Sequence, residues 1–561
     1  LRITEVMYNP APAGAASYWN NDDFEFIEIK NTGSHTLDLT GVSLTDGVYF
    51  TFNDSSIRDA HLLAPGQSIV VCANENAFRS RYGDGIYLAG RYFGSLDNGG
   101  ERIRLTGPLG LPIVEFEYND SREWPQAADG SGHSLVPLDW TLANQPLGLS
   151  DYGPNWRAST LIHGSPGADD PAAPPAGPTG VVLNEFAAHT DFATPPPESN
   201  DWIELFNPTG ADIVLNDCYL SDDVQSLGKW QIPNGTVVPS GGFVSFDEIN
   251  DFHNPVGFGL NKDGEHVVLS YLPGNGNDRI VDEVRFKGQE NGASLGRYPD
   301  GARQSGPAVA SWRPMAPTRD TANTAPFASI VINQFMYHPS DGTTTSEYIE
   351  IHNPTAVSID LFNAEGRWRI NGGGDYDFQT DVTIPAGGYL LLLPFDPNNA
   401  TALNAFKAHY GVVSFTSPVY GPWSRNLANK TERIAIEKPI APDQPFEPGA
   451  WAIVDETFYF DNAPYPTSPD GGGHALHRVA ANQPGADPSN WLAAAPILVR
   501  SGVVAPLVTN QAASAVSENA ATLNGELTST DTPIPEARYD ELAGGADVIG
   551  INYYTRNFIM Y

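Results

Sequence analysis

Cysteine is scarce in this sequence, which has two among 561 residues, Cys72 and Cys218. They fall in different repeats of the chain and at non-equivalent positions, so we predict no structural disulfide and no zinc site of the usual spacing. Basic residues are few as well, with 30 Lys and Arg against 67 Asp and Glu, a formal net charge of −37. Because such a surface repels phosphate backbones, nucleic acid is excluded as the expected partner.

Long apolar runs are also lacking. No run reaches the roughly 18 residues that a membrane helix needs, so we expect no membrane span. The chain opens on an apparent strand without a signal peptide, and we expect it to be a piece of something longer. Short runs rich in Val, Ile, Thr and aromatic residues recur instead, bounded by Gly, Pro, Asn and Asp. That pattern is typical of an all-β protein.

Five short motifs recur in the same order three times, which indicates three homologous units. The first begins a strand, at 3–6, 183–186 and 332–335. The second is a strand that ends in Asn, at 25–31, 201–207 and 347–353. The remaining three are a Gly-containing turn at 64–67, 239–242 and 385–388, a strand start at 100–103, 264–267 and 431–434, and a closing strand at 132–135, 292–295 and 473–476.

This motif order resembles the lamin tail domain, an immunoglobulin-like β-sandwich. The resemblance implies an all-β chain of three tandem sandwiches at residues 1–168, 181–312 and 328–501, joined by a Pro-rich linker at 169–180 and a second linker at 313–327. We expect the Pro-rich linker to be a semi-rigid spacer that holds its domains apart. Two departures from the pattern are Gln334, in place of the opening Glu, and Thr431, in place of Gly.

Aromatic pairs predict a short helix inside the first and third units. Phe78 and Tyr82, and likewise Phe406 and Tyr410, are four residues apart and are followed by Gly. A helix places both rings of such a pair on one face, and Gly ends it. We interpret these pairs as core packing.

Two motifs suggest catalysis or metal binding, but the repeat argues against both. Ser294 lies in a G-x-S-x-G string, yet its position is Ser134 in the first unit and Ala475 in the third, with no βαβ pattern around it. His474 and His477 are three residues apart in a predicted strand, where such residues point to opposite faces. We therefore predict no catalytic residue in the repeats.

The recurring acids allow two interpretations. In one, the strand carboxylates are half-exposed and pair with a basic residue of a neighbouring strand, such as Arg102 or Arg433. In the other, acidic side chains bind Ca²⁺, which is the one cofactor the sequence suggests. The candidate ligands are Asp22, Asp23, Glu28, Asp201, Glu204 and Glu350.

Several tryptophans recur near the end of each unit, and their positions predict domain-closing packing: Trp156, Trp312 and Trp491. Trp19 and Trp423 lie in predicted loops instead. An aromatic face in a loop is a candidate contact for carbohydrate.

The last 60 residues follow a different pattern. Residues 520–527 look like an early strand of a fibronectin-III-like module, but 502–561 is too short to complete one. Residues 545–556 resemble a strand of family-one glycoside hydrolases, the β-glucosidase type, in which Asn552 and Tyr554 would line the sugar site. The N-E-P motif and the barrel of that family are missing.

The sequence thus favours an extracellular or cell-surface scaffold, because bacterial proteins with similar domains are large and secreted or surface-bound. Its expected role is adhesion, surface assembly or matrix interaction, with a protein, the matrix or a polysaccharide surface as partner. One alternative is the accessory region of a carbohydrate-active enzyme. Another is a filament or spacer subunit that associates with itself.

Overall fold

The computed structural model describes residues 1–13, 18–53, 62–139, 149–188, 200–253, 257–302, 311–442 and 449–500, and the backbone of four strands between 507 and 560. It divides into two units: 1–411 with 419–496, and 412–418 with 497–561. Three β-sandwiches lie in the first unit, which confirms the all-β prediction. In the described residues, no helix is both long and apolar enough to span a membrane.

The first sandwich packs a six-stranded sheet on a four-stranded sheet. The larger sheet has the spatial order Trp156–Ala158, Leu135–Pro137, Arg2–Met7, Phe26–Lys30, Ser68–Cys72 and Leu88–Arg91. The smaller sheet has the order Pro112–Glu117, Arg102–Thr106, Ser43–Asp46 and Phe50–Thr51. Leu37–Asp38 pairs with Leu62–Leu63 beside them.

The second sandwich repeats this arrangement with a five-stranded larger sheet. Its order is Phe243–Asp247, Trp202–Phe206, Val182–Ala187, Ser294–Arg297 and Trp312–Met315. The smaller sheet has the order Trp230–Gln231, Cys218–Ser221, His266–Tyr271 and Arg279–Arg285. Ile213–Leu215 pairs with Thr236–Val238.

The third sandwich again has six and four strands. The larger sheet has the order Val419–Tyr420, Tyr389–Leu392, Tyr348–His352, Val331–Met336, Ala475–Arg478 and Trp491–Ala494. The smaller sheet has the order Tyr376–Asp377, Arg369–Gly372, Thr431–Ile440 and Ala450–Phe460. Two further strand pairs join Ile359–Asp360 to Thr383–Ile384 and Phe362–Asn363 to Gly366–Arg367.

Two α-helices lie where the aromatic pairs predicted them: α1 at Glu75–Tyr82 and α2 at Ala400–Tyr410. The paired rings are 4.6 Å apart in α1 and 4.8 Å apart in α2. In the second sandwich a π-helix, Glu248–Phe252, follows the corresponding strand. One-turn 3₁₀ helices lie at Asp22–Phe24, Gln126–Ala128, Leu149–Asp151, Gly153–Asn155, Thr344–Ser346 and Pro488–Asn490.

Alternation along the central strand explains how each larger sheet is buried on both faces. In the first sandwich Ile27 and Ile29 point into the core between the sheets. Phe26 points the other way and packs against Phe78 of α1. The predicted helix therefore covers part of the outer face of the sheet, beside Glu28.

The three sandwiches contact one another within the first unit, so the expectation that the linker holds its domains apart is wrong. The first and second are joined where the backbone N–H of Ile280 donates to His133 Nε2 over 3.1 Å. A parallel bridge pairs Gly288 of the second with Ala452 of the third. The Pro-rich linker is itself fastened, because Pro178 O accepts a hydrogen bond from Arg279.

An aromatic contact completes the triangle between the third and first sandwiches. The ring of Tyr152 stacks on Phe460 with centroids 4.9 Å apart and also meets Tyr465 edge-on. Tyr152 is 1% exposed and is part of the core of the third sandwich. One residue of the first domain thus completes the core of another.

The second unit contains an antiparallel sheet with the order Leu507–Ser517, Ala520–Thr528, Asn557–Met560 and Ile549–Asn552. A strand is present where the sequence predicted one, at 520–527.

Candidate functional site

The recurring carboxylates form cross-strand pairs in the larger sheets. Glu5 lies opposite Glu28 in the first sandwich, and Glu185 lies opposite Glu204 in the second. In the third sandwich the pair is Gln334 and Glu350. All six side chains are buried. Of the recurring residues, these facing pairs most resemble a catalytic or binding site. The hydrogen bonds that they make show whether they serve that role or a structural one.

In the first sandwich the pair holds the chain segment that leaves the domain. Glu5 Oε1 accepts hydrogen bonds from Ser134 Oγ at 2.5 Å and from the backbone N–H of Ser165 at 2.8 Å. Glu28 Oε2 accepts from the backbone N–H of Gly167 at 2.6 Å. The segment after the last strand is thereby fixed over the outer face of the sheet.

The second sandwich uses the same contacts. Glu185 Oε1 accepts from Ser294 Oγ at 2.5 Å and from the backbone N–H of Thr318 at 2.9 Å. Glu204 Oε2 accepts from the backbone N–H of Asp320 at 2.6 Å. The carboxylates again fasten the segment that follows the closing strand.

In the third sandwich the two facing side chains keep their register, but the hydroxyl that donates to them comes from a different position. Where the first two units have Ser134 and Ser294, the third has Ala475, which has no hydroxyl. Tyr348 supplies it instead, since its hydroxyl donates to Gln334 Oε1 over 3.1 Å. The position of Tyr348 is Phe26 in the first unit, so the loss of one donor is matched by the gain of another.

Burial favours the protonated form of one acid in each of the first two pairs, Glu5 and Glu204. Removal from water raises the pKa of Glu5 to about 8, against hydrogen bonds that lower it and with the charge of Glu28 adding to the rise. Burial likewise raises the pKa of Glu204 to about 8. A protonated Glu in such a pair avoids two facing buried charges. In the third sandwich Gln334 occupies the position of Glu5 and is permanently uncharged.

The prediction that the strand acids are half-exposed and pair with arginine is therefore wrong. Glu28 is 2% exposed and accepts from backbone and hydroxyl donors. Arg102 lies nearest a different acid, Glu115, at 3.8 Å. The sequence could not show this, because the covering segment comes from about 140 residues further along the chain.

The calcium candidates are dispersed. Glu28, Glu204 and Glu350 lie in three different sandwiches, and Asp201 accepts the backbone N–H of Leu260 at 2.5 Å. The described residues contain no group of three or more His, Cys, Asp or Glu arranged to hold a metal ion. Asp22 and Asp23 share a 3₁₀ turn, where Asp23 accepts hydrogen bonds from nearby Asn side chain and backbone groups. Binding of Ca²⁺ stays a prediction.

The other recurring polar residues hold turns. The Asn that ends the second motif donates from Nδ2 to the carbonyl four residues on and to one across the turn, in Asn31, Asn207 and Asn353. The Glu of the fourth motif accepts the backbone N–H four residues before it, in Glu101, Glu265 and Glu432. The sequence motifs therefore record how each domain closes its loops.

The two catalytic or metal motifs are structural as well. Ser294 is fully buried with its hydroxyl bonded to Glu185, so no substrate reaches it. His477 is buried opposite Gln334, whereas His474 is exposed outside the strand. Both cysteines are free, in line with the prediction of no disulfide; they are also buried, and burial raises the pKa of each to about 12.

The tryptophans divide as their positions suggested, with one exception. Trp156, Trp312 and Trp491 are buried in the three cores. Trp423 is also buried, 4% exposed in the third core, so its assignment to a ligand-contacting loop is wrong. Trp19 is half-buried. The side chain of Asn552 and the whole of Tyr554 lie outside the described residues.

All three domains meet in a network of ion pairs whose carboxylates are buried. Arg122 of the first contacts Glu456 of the third at 3.0 Å, and Arg433 of the third contacts Glu437 at 2.8 Å. Lys287 of the second reaches the same Glu437 at 3.3 Å. Burial would raise the pKa of Glu437, but Arg433 and Lys287 outweigh it and lower that pKa to about 2.

Comparison with known proteins supports the resemblance of the first sandwich to the lamin tail domain. The Lamin Tail Domain family matches residues 1–120. A crystal structure of a DUF4876 family protein from Bacteroides thetaiotaomicron aligns with 52% of this chain and 95% of its own, with 8% identity and a TM-score of 0.22, and supports no argument at that score. No curated protein matches the chain. None of the matches is to a glycoside hydrolase, so the resemblance of residues 545–556 to that family is unsupported.

The second and third sandwiches repeat the strand order and the buried polar pairs of the first, which is the sandwich that the family match covers. Such immunoglobulin-like domains are generally not enzymes, and they indicate a modular binding or scaffold region. Residues 1–120 match the lamin tail domain, and two further sandwiches with a similar strand order follow in the described part of the chain.

Proposed function

We propose that this chain is a non-catalytic scaffold that acts outside the cell, at a surface or in the matrix, and that it presents three lamin-tail-like sandwiches to a protein or polysaccharide partner as one rigid block. The observation that carries the proposal is the triangle of contacts between the domains. A chain built only to space its ends apart would have no need of such contacts.

The burial of the recurring polar residues supports the non-catalytic part. The facing carboxylates, the motif Asn residues and Ser294 are all engaged by groups of the chain itself. A catalytic acid or nucleophile must reach its substrate. The excess of acidic residues supports the extracellular part, because it keeps a surface-bound protein soluble and discourages association with itself.

Labelling of intact producing cells tests the location. Antibodies against the purified chain are expected to stain unbroken cells, and external protease is expected to remove the signal. Staining that appears only after lysis would refute the extracellular role. Turnover of an aryl-glycoside panel by the purified chain would refute the non-catalytic role.

A further inference from the structure

A cleft of about 590 Å³ lies between the first and second sandwiches. Trp156 and His133 line it from the first domain, Arg279 and Glu283 from the second, and Pro178 of the Pro-rich linker forms another part of its wall. This volume lies within the range of roughly 300–1,000 Å³ that small-molecule sites occupy.

Arg279 is a buried cation without a partner acid. It is 3% exposed, and its guanidinium donates to two backbone carbonyls, Pro178 O at 3.0 Å and Asn277 O at 3.2 Å. Its guanidinium carbon lies 4.6 Å from the ring centre of Tyr271. Within the described part of the chain no carboxylate comes within ion-pair distance of it.

The two other arginines of the cleft are neutralised. Arg157 contacts Asp170 at 2.5 Å, and Arg297 contacts Asp282 at 3.0 Å. A buried charge is costly unless an opposite charge and hydrogen bonds compensate it. Burial accordingly lowers the pKa of Arg279, and the groups that partly oppose this change are Tyr271 and Cys218, neither of which is a carboxylate.

The remaining titratable groups of the cleft do not cancel this charge near neutral pH. Burial raises the pKa of Glu283 to about 8, which favours its protonated form near neutral pH, and burial also raises the pKa of Glu123. Burial lowers the pKa of His133 to about 4, which keeps it neutral. One oxygen of Glu283, Oε2, is buried without a hydrogen-bond partner, as is Oε2 of Glu123. A protonated Glu283 offers an O–H group that lacks an acceptor.

We propose that this cleft binds a small ligand with a carboxylate and further oxygen acceptors, such as a sugar acid. The carboxylate pairs with the guanidinium of Arg279, whose planar fork suits that geometry. The O–H of Glu283 donates to another ligand oxygen. This site goes beyond the proposed scaffold role. The two proposals can fail separately, because ligand binding is measured on the purified chain and the location is measured on cells.

Calorimetric titration of the full chain tests the site. At constant ionic strength and pH 7, sodium D-glucuronate is expected to bind saturably and D-glucose, which lacks the carboxylate, is not. Arg279→Gln is expected to weaken glucuronate binding by about 10- to 100-fold, the loss that a charge-assisted hydrogen bond implies. Arg102→Gln makes the same charge change on the surface of the first sandwich and should leave the binding unchanged.

A second variant keeps the test decisive if Arg279→Gln does not fold. Thr179 is exposed and lines the cleft, so Thr179→Trp should narrow the cleft without disturbing a core, and glucuronate binding should fall. Sodium malonate, a small dicarboxylate, serves as a second probe of the same carboxylate contact. The proposal is overturned if wild type binds neither glucuronate nor malonate. It is also overturned if the folded Arg279→Gln or Thr179→Trp variant binds glucuronate as well as Arg102→Gln does.

Discussion

Replacing Glu5 with Gln should change how the stability of the chain depends on pH. In the folded protein Glu5 has a pKa of about 8, whereas the ordinary value is 4.5. The folded state therefore holds a proton that the unfolded state loses between these values, and the free energy of unfolding falls as pH rises through that window. Gln at this position is the choice that the third sandwich already makes at Gln334.

The magnitude follows from the difference in pKa. Each unit of pH in the window costs about 1.4 kcal/mol for one proton, so Glu5 alone accounts for roughly 3 to 5 kcal/mol between pH 4.5 and pH 8. Below pH 4.5 both states are protonated and this cost is absent. Glu5→Gln removes the titrating group but keeps an oxygen that accepts from Ser134 and Ser165.

Urea unfolding followed by tryptophan fluorescence between pH 4.5 and pH 8.5 measures the effect. The variant is expected to gain stability relative to wild type progressively, with the largest gain at the alkaline end. Glu365 is exposed, and Glu365→Gln serves as the control with no such trend. If Glu5→Gln and wild type lose stability in parallel over this range, Glu5 is not protonated in the fold and the reasoning fails.

Further predictions concern the contacts between domains and the metal. Tyr152→Ala should cost about 3 to 5 kcal/mol in thermal or urea unfolding, since it empties part of the third core, whereas Tyr18→Ala, at a fully exposed residue, should be neutral. Arg122→Met should cost about 3 kcal/mol, because it leaves Glu456 with one partner fewer, and raising salt should not rescue it. Acid should loosen the ion-pair network: the pKa of Glu437 is lowered to about 2, so its contribution is complete above pH 4.5 and is lost as pH falls toward 2, which acid titration of the melting temperature would show. If the acidic side chains bind Ca²⁺, the melting temperature should be higher in millimolar Ca²⁺ than in chelator, and an unchanged melting temperature would refute that prediction.

The repeat was predictable because each domain builds its sheets and turns from local signals. Local spacing predicted α1 and α2, since a helix places an aromatic pair four residues apart on one face and Gly ends it. The closing tryptophans were predictable for a similar reason: they recur at one place in a repeated fold.

What the sequence did not show is which distant groups meet. Ser134, Ser165 and Gly167, which donate to Glu5 and Glu28, lie 129 to 160 residues further along the chain. Trp423 looked like a loop residue because no strand surrounds it, yet its loop folds back into the third core. The stacking of Tyr152 on Phe460 joins two domains, and no periodicity within one domain contains information about such a contact.

Differential scanning calorimetry of the whole chain tests the central claim most directly. If the three sandwiches form one block, residues 1–411 and 419–496 should unfold in a single transition whose calorimetric enthalpy matches its van't Hoff enthalpy. Tyr152→Ala should then lower or split that transition. Three separate transitions in wild type, each with the enthalpy of one sandwich, would show independent domains on flexible linkers and contradict the account.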